Sequence, residues 1–384
     1  MQRPYQVGLI GCGDIADIYF ENARRFEIIE IAACASRTMA NARAKAERHG
    51  IATVQTPAEL IANPGIDIVL NLTTPDVHAA INLAALAAGK HVYTEKPLAA
   101  SLEDGHRIMD EAAARGLHVG CAPDTFLGGR LQSARQAIDE GLIGEIVGAG
   151  AFVVSPGHEW HHPNPEFFYK PGGGPLLDIA PYYVTALLAL LGPVRRCSAM
   201  ARASFKERTI QSEPRRGQTI AVEVPTHVSG QLEFESGAIG SVLASYDVWD
   251  SQLPRMEIYG SRGTLCLPDL DPLHGPNLFG GPLWIKTAQT ARWRGLPRPS
   301  GFDEWDEVPN THDYNQNSRG LGLADMAYAI RDGREPRASG RMALHSLEVM
   351  YGLLTAASES RVVSIDSGCS RPAPLPKGFP QSEA

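Results

Sequence analysis

A glycine-rich turn near the start of the chain could hold the phosphates of a dinucleotide. Gly11-Cys-Gly-Asp-Ile-Ala16 fits the pattern G-x-G-x-x-G/A, follows the apolar run Val7–Ile10 and precedes a helical pattern. In such a turn the first glycine permits a tight bend, the second lets the backbone approach a pyrophosphate, and the alanine allows close packing of helix on strand. The helix N-terminus would face the negative charge. The turn predicts dinucleotide binding by Gly11, Gly13, Asp14 and Ile15.

The end of the second strand bears on which dinucleotide binds. An acidic side chain there would accept hydrogen bonds from the ribose 2′-hydroxyl and indicate NAD. The chain instead reads Cys34-Ala-Ser-Arg-Thr38. Ser36 can donate a hydrogen bond to a 2′-phosphate and Arg37 can pair with it through two, so these residues favour NADP. The alternative is an arginine that lies over the adenine, which NAD enzymes also allow.

The segment His158-Glu-Trp-His-His162 matches H-E-x-x-H, the pattern of zinc proteases. Zinc binding by this pattern needs both histidines on one continuous helix. Pro156-Gly157 precedes the segment and Pro163 follows it, which disfavours a helix there, so we expect no metal. Two uses stay open for His158 and Trp160: a polar and aromatic lining for a sugar, or a surface loop.

Strands and helices alternate over the first 125 residues, which predicts a parallel sheet with helices on both faces. The predicted strands are Val7–Ile10, Ile28–Cys34, Ile68–Leu72, His91–Tyr93 and His118–Gly120. The predicted helices are Ile15–Phe26, Met39–His49, Val77–Ala88 and Leu102–Arg115. Two turns, Thr73-Thr-Pro75 and Glu95-Lys-Pro97, would then lie at the carboxyl ends of strands, where such a sheet binds its ligand. A lone lysine at that place is usually a surface charge.

The pattern changes after about Phe126. We expect a helix Leu131–Glu140, a strand Ile146–Val154 and an apolar helix Leu176–Leu191, followed by antiparallel strands up to Leu267 that form one broad sheet. A long ordered loop over 268–314 and two last helices, Leu323–Arg331 and Met342–Ser358, complete the second part. The predicted divisions are 1–125, 126–362 and a proline-rich arm at 363–384.

Composition excludes several other classes of protein. Among 384 residues, 43% are hydrophobic and 20% charged, as in ordinary globular proteins, and the net charge of −8 makes nucleic acid an unsuitable partner. The apolar runs are too short to span a membrane, and no apolar leader precedes the first strand. Six cysteines without a C-x-x-C pair suit a reducing cytoplasm.

With three further motifs the chain resembles the Gfo/Idh/MocA oxidoreductases. These motifs are Asn71-Leu-Thr-Thr-Pro-Asp-Val-His78, Tyr93-Thr-Glu-Lys-Pro97 and Gly172-Gly-Gly-Pro-Leu-Leu-Asp-Ile-Ala-Pro-Tyr182, and the resemblance covers roughly residues 5–360. It implies an α/β fold: an N-terminal Rossmann domain and a C-terminal α/β domain with an open, mostly antiparallel sheet through which copies of the chain assemble. It also implies cofactor contacts from Asn71, Thr73, Thr74, Pro75, His78, Glu95 and Lys96.

The resemblance implies roles for three residues at the reacting hydroxyl. Lys96, before a cis Pro97, would point at the substrate beside the nicotinamide, and Asp178 would orient the substrate hydroxyl. Many members carry Asp and His four residues apart on one helical face, whereas this chain has Tyr182 at the histidine position. A tyrosine, whose pKa is ordinarily about 10, needs a neighbouring cation to act as a base, and Lys96 could supply it. Tyr182 could instead pack in the core, and Lys96 could itself take the proton.

These features predict an NAD(P)-dependent oxidoreductase that acts on a secondary hydroxyl or ketone of a sugar, polyol or cyclitol. Asp124, after the last strand of the first domain, is a further candidate for contact with nicotinamide or substrate. Two alternatives from the same resemblance are a glycosidase with a tightly held nicotinamide cofactor and a non-catalytic sugar or nucleotide sensor. The presence of Lys96 argues against the sensor.

Overall fold

The chain folds into two units in a computed structural model, which describes residues 3–268, 278–287 and 305–380. The first unit comprises Met1–Leu127, Asn317–Leu347 and Gly378–Ala384. The second comprises Gly128–Gln316 and Glu348–Lys377. In the described ranges, no helix is both long and apolar enough to cross a membrane.

A parallel sheet of six described strands forms the centre of the first unit. In chain order they are β1 (Tyr5–Ile10), β2 (Ile29–Ala35), β3 (Thr53–Gln55), β4 (Ile68–Asn71), β5 (His91–Thr94) and β6 (Val119–Cys121). Their order across the sheet is β3-β2-β1-β4-β5-β6. The chain leaves β1 in both directions across the sheet, which opens a crevice between the ends of β1 and β4, where doubly wound sheets bind ligands. This confirms the predicted Rossmann architecture.

Helices connect these strands. They are α1 (Ala16–Ala23), α2 (Met39–His49), α3 (Pro57–Ala62), α4 (Pro75–Ala87) and α5 (Leu102–Arg115). Helix α3 and strand β3 are absent from the sequence-based prediction because each is short and lacks a clear apolar period. Helix α3 begins at a capping box, in which Thr56 Oγ1 accepts from the N–H of Glu59 and the Glu59 carboxylate accepts from the N–H of Thr56.

A nine-stranded, mostly antiparallel sheet dominates the described part of the second unit. Its strands are β7 (Ile146–Val154), β8 (Val194–Arg202), β11 (His227–Phe234), β12 (Ile239–Ser245), β13 (Met256–Gly260), β14 (Gly263–Leu267), β15 (Trp284–Thr287), β16 (Asp306–Glu307) and β17 (Val363–Ser364). Their order is β16-β15-β14-β13-β7-β12-β11-β8-β17, and β7 and β12 run parallel. Two short strands, β9 (Glu207–Thr209) and β10 (Thr219–Ala221), pair separately. The predicted broad sheet is confirmed.

The apolar helix predicted over Leu176–Leu191 is two helices. The helices of the second unit are α6 (Gly129–Asp139), α7 (Pro175–Asp178) and α8 (Ala180–Leu191). Pro181 has no N–H to donate to the carbonyl four residues earlier and its ring crowds that carbonyl, so the helix is interrupted at Ile179. All twelve residues of α8 are buried, and it packs against β7 and α6.

The domain boundaries differ from the predicted ones at the end of the chain. Helix α9 (Leu321–Asp332) and the start of α10 (Gly340–Glu359) belong to the first unit. Part of the loop predicted over 268–314 lies outside the described residues, and the described part forms β15 and β16. After β17, the predicted arm has no regular structure up to residue 380, although Leu375 and Phe379 are buried.

Candidate active site

The glycine-rich turn lies at the crevice between β1 and β4. Gly11 has a φ of +111°, and a Cβ added to it would lie 2.5 Å from the carbonyl carbon and oxygen of Leu72. Gly11 therefore allows the turn to touch the segment that follows β4. A Cβ on Gly13 would meet nothing within 4 Å. Gly13 and Asp14 are exposed, so the turn leaves open space where a pyrophosphate approaches in this kind of fold.

Helix α1 begins directly after this turn without a side-chain cap. Ile15 is its N-cap and provides no side-chain hydrogen bond to the first turn. The N–H groups of the first helical turn and the helix dipole favour an anion at this position. The open cradle at Gly13 and the uncapped helix fit the phosphates of a dinucleotide.

Ser36 and Arg37 follow β2, as predicted. Ser36 is half-buried and Arg37 is exposed. Within the described ranges Arg37 makes no hydrogen bond or ion pair, and no carboxylate occupies the end of this strand. Its guanidinium can therefore pair with an added phosphate without giving up a protein partner.

Asn71 and His78 fix the turn after β4. Asn71 is fully buried; its Oδ1 accepts from the N–H and hydroxyl of Thr73 at 3.1 and 2.6 Å, and its Nδ2 donates to Asn82 Oδ1 at 2.8 Å. The His78 ring is buried between two carbonyl oxygens, that of Pro97 at 2.7 Å from Nδ1 and that of Thr73 at 3.0 Å from Nε2. Burial lowers the pKa of His78, although both carbonyls oppose the shift. Both side chains hydrogen-bond the backbone of the neighbouring turns, and their direct contact with the cofactor stays a prediction.

Glu95 and Lys96 follow β5 in the same unit. Glu95 accepts hydrogen bonds from the Tyr19 hydroxyl at 2.8 Å and from the backbone N–H of Lys96 at 3.1 Å. Lys96 is half-buried, and its peptide bond to Pro97 is cis, as the resemblance implies. Thr73, Thr74 and Pro75 are half-buried or exposed at the neighbouring strand end. The glycine-rich turn, the turn after β4 and the turn after β5 therefore lie at the same edge of the sheet, as predicted.

Asp124 has a structural role that the sequence did not indicate. Its side chain is 1% exposed, and Oδ2 accepts from the N–H groups of Gly320 and Gly322 at 3.0 and 2.9 Å, at the start of α9. Burial raises the pKa of Asp124 to about 6, although these N–H groups oppose the shift. The carboxylate is an N-terminal cap for α9, and contact with nicotinamide or substrate stays a prediction.

In the second unit, Asp178 lies in a group of polar and aromatic side chains. Its Oδ2 accepts from the Tyr246 hydroxyl at 2.8 Å and lies 3.2 Å from Nε2 of His158. Nε2 of His158 is buried and has no hydrogen-bond partner among the described residues. The His158 ring stacks on Phe168 with a centroid distance of 3.8 Å. Tyr246 follows β12, and sequence reasoning did not single it out.

Tyr182 lies in the first turn of α8, four residues after Asp178, and is 9% exposed. The interruption at Ile179 separates the two residues into different helices, so the single continuous helix expected for this pair is absent. The roles of Tyr182 and Asp178 at a reacting hydroxyl stay predictions.

The segment that matches the zinc-protease pattern forms a single 3-10 turn, His158–Trp160. Glu159 lies inward, where its carboxylate accepts from Arg208 at 2.7 Å and from the Tyr169 hydroxyl. Arg208 also binds the carboxylate of Asp247. Glu159 is thus part of a buried ion-pair cluster, which could not be predicted from sequence spacing because Arg208 and Asp247 lie 49 and 88 residues away.

Trp160 lies on the surface beside Trp249. The two indole rings are 5.2 Å apart between centroids, and their exposed fractions are 45% and 73%. With Phe205, Arg208 and Gln211 they line a cavity of about 190 Å³. Aromatic faces beside polar groups are the kind of surface that binds a sugar ring.

Two family profiles match the two parts of the chain. Residues 5–122 match the profile described as "Oxidoreductase family, NAD-binding Rossmann fold", and residues 131–266 match "GFO/IDH/MocA C-terminal domain". Both lie where the structure has the corresponding sheets.

Individual relatives agree with these profiles. The 1,5-anhydro-D-fructose reductase of Ensifer adhaerens is 29% identical over 370 residues, which cover 94% of this chain and 98% of the relative. A dTDP-3,4-didehydro-2,6-dideoxy-alpha-D-glucose 3-reductase of Saccharopolyspora spinosa is 32% identical over 70% of this chain and 75% of the relative. The solved levoglucosan dehydrogenase in complex with NADH and levoglucosan has the same fold, with a TM-score of 0.77, 22% identity and coverage of 94% and 99%. The chain belongs to the GFO/IDH/MocA family of oxidoreductases, and its first unit is an NAD-binding Rossmann domain.

Proposed function

We propose that this protein is an NADP-preferring oxidoreductase that interconverts a secondary hydroxyl and a ketone on a sugar, polyol or cyclitol. The observation that carries the proposal is the half-buried Asp178 carboxylate, held by Tyr246 and bordered by His158, in a chain whose other unit is an NAD-binding domain. A carboxylate in such surroundings can accept a hydrogen bond from a substrate hydroxyl. When bound, the nicotinamide ring supplies the acceptor or donor of the hydride.

Residues of the first unit would hold the cofactor. The turn with Gly11, Gly13, Asp14 and Ile15 and the N-terminus of α1 would receive the pyrophosphate. Ser36 and the exposed Arg37 would receive the 2′-phosphate, since a carboxylate that would repel this group is missing there. The turn with Thr73, Thr74 and Pro75, fixed by Asn71 and His78, would border the nucleotide.

Lys96, Asp178 and Tyr182 would act on the reacting hydroxyl. Lys96 supplies positive charge, which favours an alkoxide over the neutral alcohol, and the Asp178 carboxylate orients the hydroxyl. A tyrosine hydroxyl at the same oxygen can donate or accept a hydrogen bond. Lys96→Met and Tyr182→Phe each remove one of these groups, so we expect both to lower kcat more than they raise KM.

The proposed substrate class rests on the aromatic surface near His158. Trp160 and Trp249 present ring faces for the C–H groups of a sugar, and Arg208 and Gln211 border the same cavity. The names of the relatives fit this class, since they include a reductase of anhydrofructose and a dehydrogenase that binds levoglucosan. Trp160→Ala should raise KM for the substrate without changing nucleotide affinity.

The first test is titration of the purified protein with NADPH and NADH by fluorescence, followed by a screen of sugars, polyols and cyclitols at 340 nm. We expect NADPH to bind more tightly than NADH, and Arg37→Glu to reduce this preference about tenfold or more, since one lost charge-assisted pair contributes ~1.4 kcal/mol. Equal binding of both nucleotides by wild type would contradict NADP preference. Failure to bind either would overturn the proposed function.

A further inference from the structure

The oxidation of an alcohol to a ketone releases a proton as well as a hydride, and the proton must reach solvent. Resting on the proposed function, we propose that Asp178, His158 and His161 form the route along which this proton passes between the reacting hydroxyl and water. The reverse reaction would use the same route to bring a proton in.

The three side chains lie in a row within the second unit, and Nε2 of His158, which has no hydrogen-bond partner among the described residues, is open to accept a proton. Asp178 Oδ2 lies 3.2 Å from Nε2 of His158, and Nδ1 of His158 lies 3.4 Å from Nε2 of His161. The side chains of Asp178 and His158 are 19% and 15% exposed, whereas His161 is exposed. The chain thus leads from a partly buried carboxylate to an imidazole in contact with water.

The middle of this chain is held in one orientation. The His158 ring stacks on Phe168 at a centroid distance of 3.8 Å, and the Tyr246 ring meets it edge-on at 4.9 Å. The two ring nitrogens lie beside Asp178, at Nε2, and His161, at Nδ1. Imidazole is the side chain best suited to pass protons near neutral pH, because one ring nitrogen can gain a proton while the other loses one.

The other acidic groups near His158 in the described part of the chain are already engaged by partners. Burial and the Asp178 carboxylate raise the pKa of Tyr246 well above its usual value, so its hydroxyl keeps its proton and acts as a donor to Asp178. Glu159 and Asp247 are both bound to Arg208, and Glu159 also accepts from Tyr169. Both carboxylates are thus already engaged by Arg208.

His161, at the outer end of this route, favours release of the proton to water. Burial, together with the charges of His158 and His162, lowers the pKa of His161, while Glu159 opposes the shift. A proton that reaches His161 therefore passes readily to water near neutral pH.

In the oxidation direction, the substrate loses a hydride to the nicotinamide and a proton to the route through Asp178. The C–H bond of the carbinol carbon breaks and its electron pair leaves as hydride to the bound nicotinamide, which is the oxidant. The O–H bond breaks, the carbonyl forms, and the proton goes to Asp178 and on to Nε2 of His158. The proton on Nδ1 of His158 passes to Nε2 of His161, which releases one proton to water. Exchange with water then restores the starting tautomers.

The test compares His161→Gln with His162→Gln. His162 is the matched control because its Nδ1 accepts from the N–H of Asn164 and it lies outside the chain of three groups. In weak buffer at neutral pH, His161→Gln should lower kcat about tenfold, less than the roughly 10²–10⁴-fold for loss of a group at the reacting atoms because His161 is at the outer end, and added imidazole should restore it. His162→Gln should keep the wild-type kcat. A merely structural role of His161 would give no rescue by imidazole and would overturn the proposal.

A second readout needs neither cofactor nor activity. Nitrogen NMR of the histidine rings in the full chain reports which nitrogen of His158 carries the proton, with His158→Gln used to assign the signal. Asp178→Asn should change this tautomer and leave that of His162 unchanged; an unchanged His158 would overturn the proposal. Wild-type protein that oxidises no alcohol would instead count against the proposed function. The NMR signals of His158 would still show whether its ring interacts with Asp178.

Discussion

Two glycines of the nucleotide turn have different physical tasks. Gly11 has a positive φ and lies against the backbone of Leu72, so an alanine there is strained and crowded. Gly13 has open space around its Cβ position, which a pyrophosphate would occupy. Gly13→Ala should therefore retain the wild-type free energy of unfolding but lose about tenfold or more in NADPH affinity, measured by fluorescence titration.

Gly11→Ala is the matched comparison. It should lower the free energy of unfolding by about 1–3 kcal/mol, as expected for a side chain forced into positive φ. If Gly13→Ala were instead the destabilised variant, or bound NADPH like wild type, the pyrophosphate would not approach at Gly13.

The buried carboxylate of Asp124 makes stability depend on pH. Its pKa is about 6 in the folded protein, against about 3.9 for an ordinary aspartate, so the folded state holds this proton more tightly. The resulting stabilisation is fully present below pH ~4 and is lost as the pH rises through 6. The loss amounts to at most about 3 kcal/mol, at ~1.4 kcal/mol per unit.

Asp124→Asn keeps an oxygen acceptor for the N–H groups of Gly320 and Gly322 and removes the charge. Urea unfolding of both proteins at several pH values between 4 and 7 should show wild type losing stability relative to the variant as the pH rises. If the free energy of unfolding changed with pH in the same way for both proteins, the Asp124 carboxylate would ionise in the folded protein as it does in water.

Among the elements, the short strand β9 contributes Arg208, which links two segments of the second unit. Its guanidinium binds Glu159 after β7 and Asp247 after β12, and the three side chains are 11%, 4% and 6% exposed. Arg208→Met would leave two buried carboxylates without a cation. Removing one partner of a buried ion pair typically costs 3–5 kcal/mol, and we expect a loss of about that size in denaturant unfolding.

Arg216→Met is the control on the same part of the chain. Arg216 pairs with Glu213 at 3.4 Å with both side chains exposed, so its loss should cost no more than about 1 kcal/mol. A similar cost for both variants would show that the Arg208 cluster is solvated.

At this scale the sequence predicted what is local and missed what is distant. Apolar periods and glycines gave most strands and helices of the first unit and the turns at their ends. The break in the α7–α8 region had a visible cause, Pro181, that the apolar run concealed. Arg208, Tyr246 and Trp249 had no usable signal, because their partners are 38 to 89 residues away and spacing carries no information over such distances.

For the whole molecule, the sequence predicted the order of the two domains but not that the chain returns to the first one. Asp124 holds the N-terminus of α9, and the Asn22 amide donates to the backbone carbonyls of residues 317 and 319. These contacts assign 317–347 to the first unit. Each joins residues at least 196 positions apart, so it could be found only from the folded structure.

The outer face of the nine-stranded sheet exposes apolar side chains. Met200 on β8 is 83% exposed and Ile239 on β12 is 57% exposed, and the strand register puts both on this face. Such a face is costly in water unless a partner covers it, and the family resemblance implies that copies of this chain assemble through this sheet. We therefore expect a dimer or tetramer in solution, measured by size-exclusion chromatography with light scattering.

Met200→Glu tests this surface because a carboxylate buried between two copies of the sheet would lack a partner. It should shift the protein to monomers at micromolar concentration without changing its far-UV circular dichroism. Leu142→Glu is the control, since Leu142 is 47% exposed but lies outside the sheet, and this variant should keep the wild-type mass. A monomeric wild type, or dissociation by Leu142→Glu and not by Met200→Glu, would exclude this face as the contact between copies.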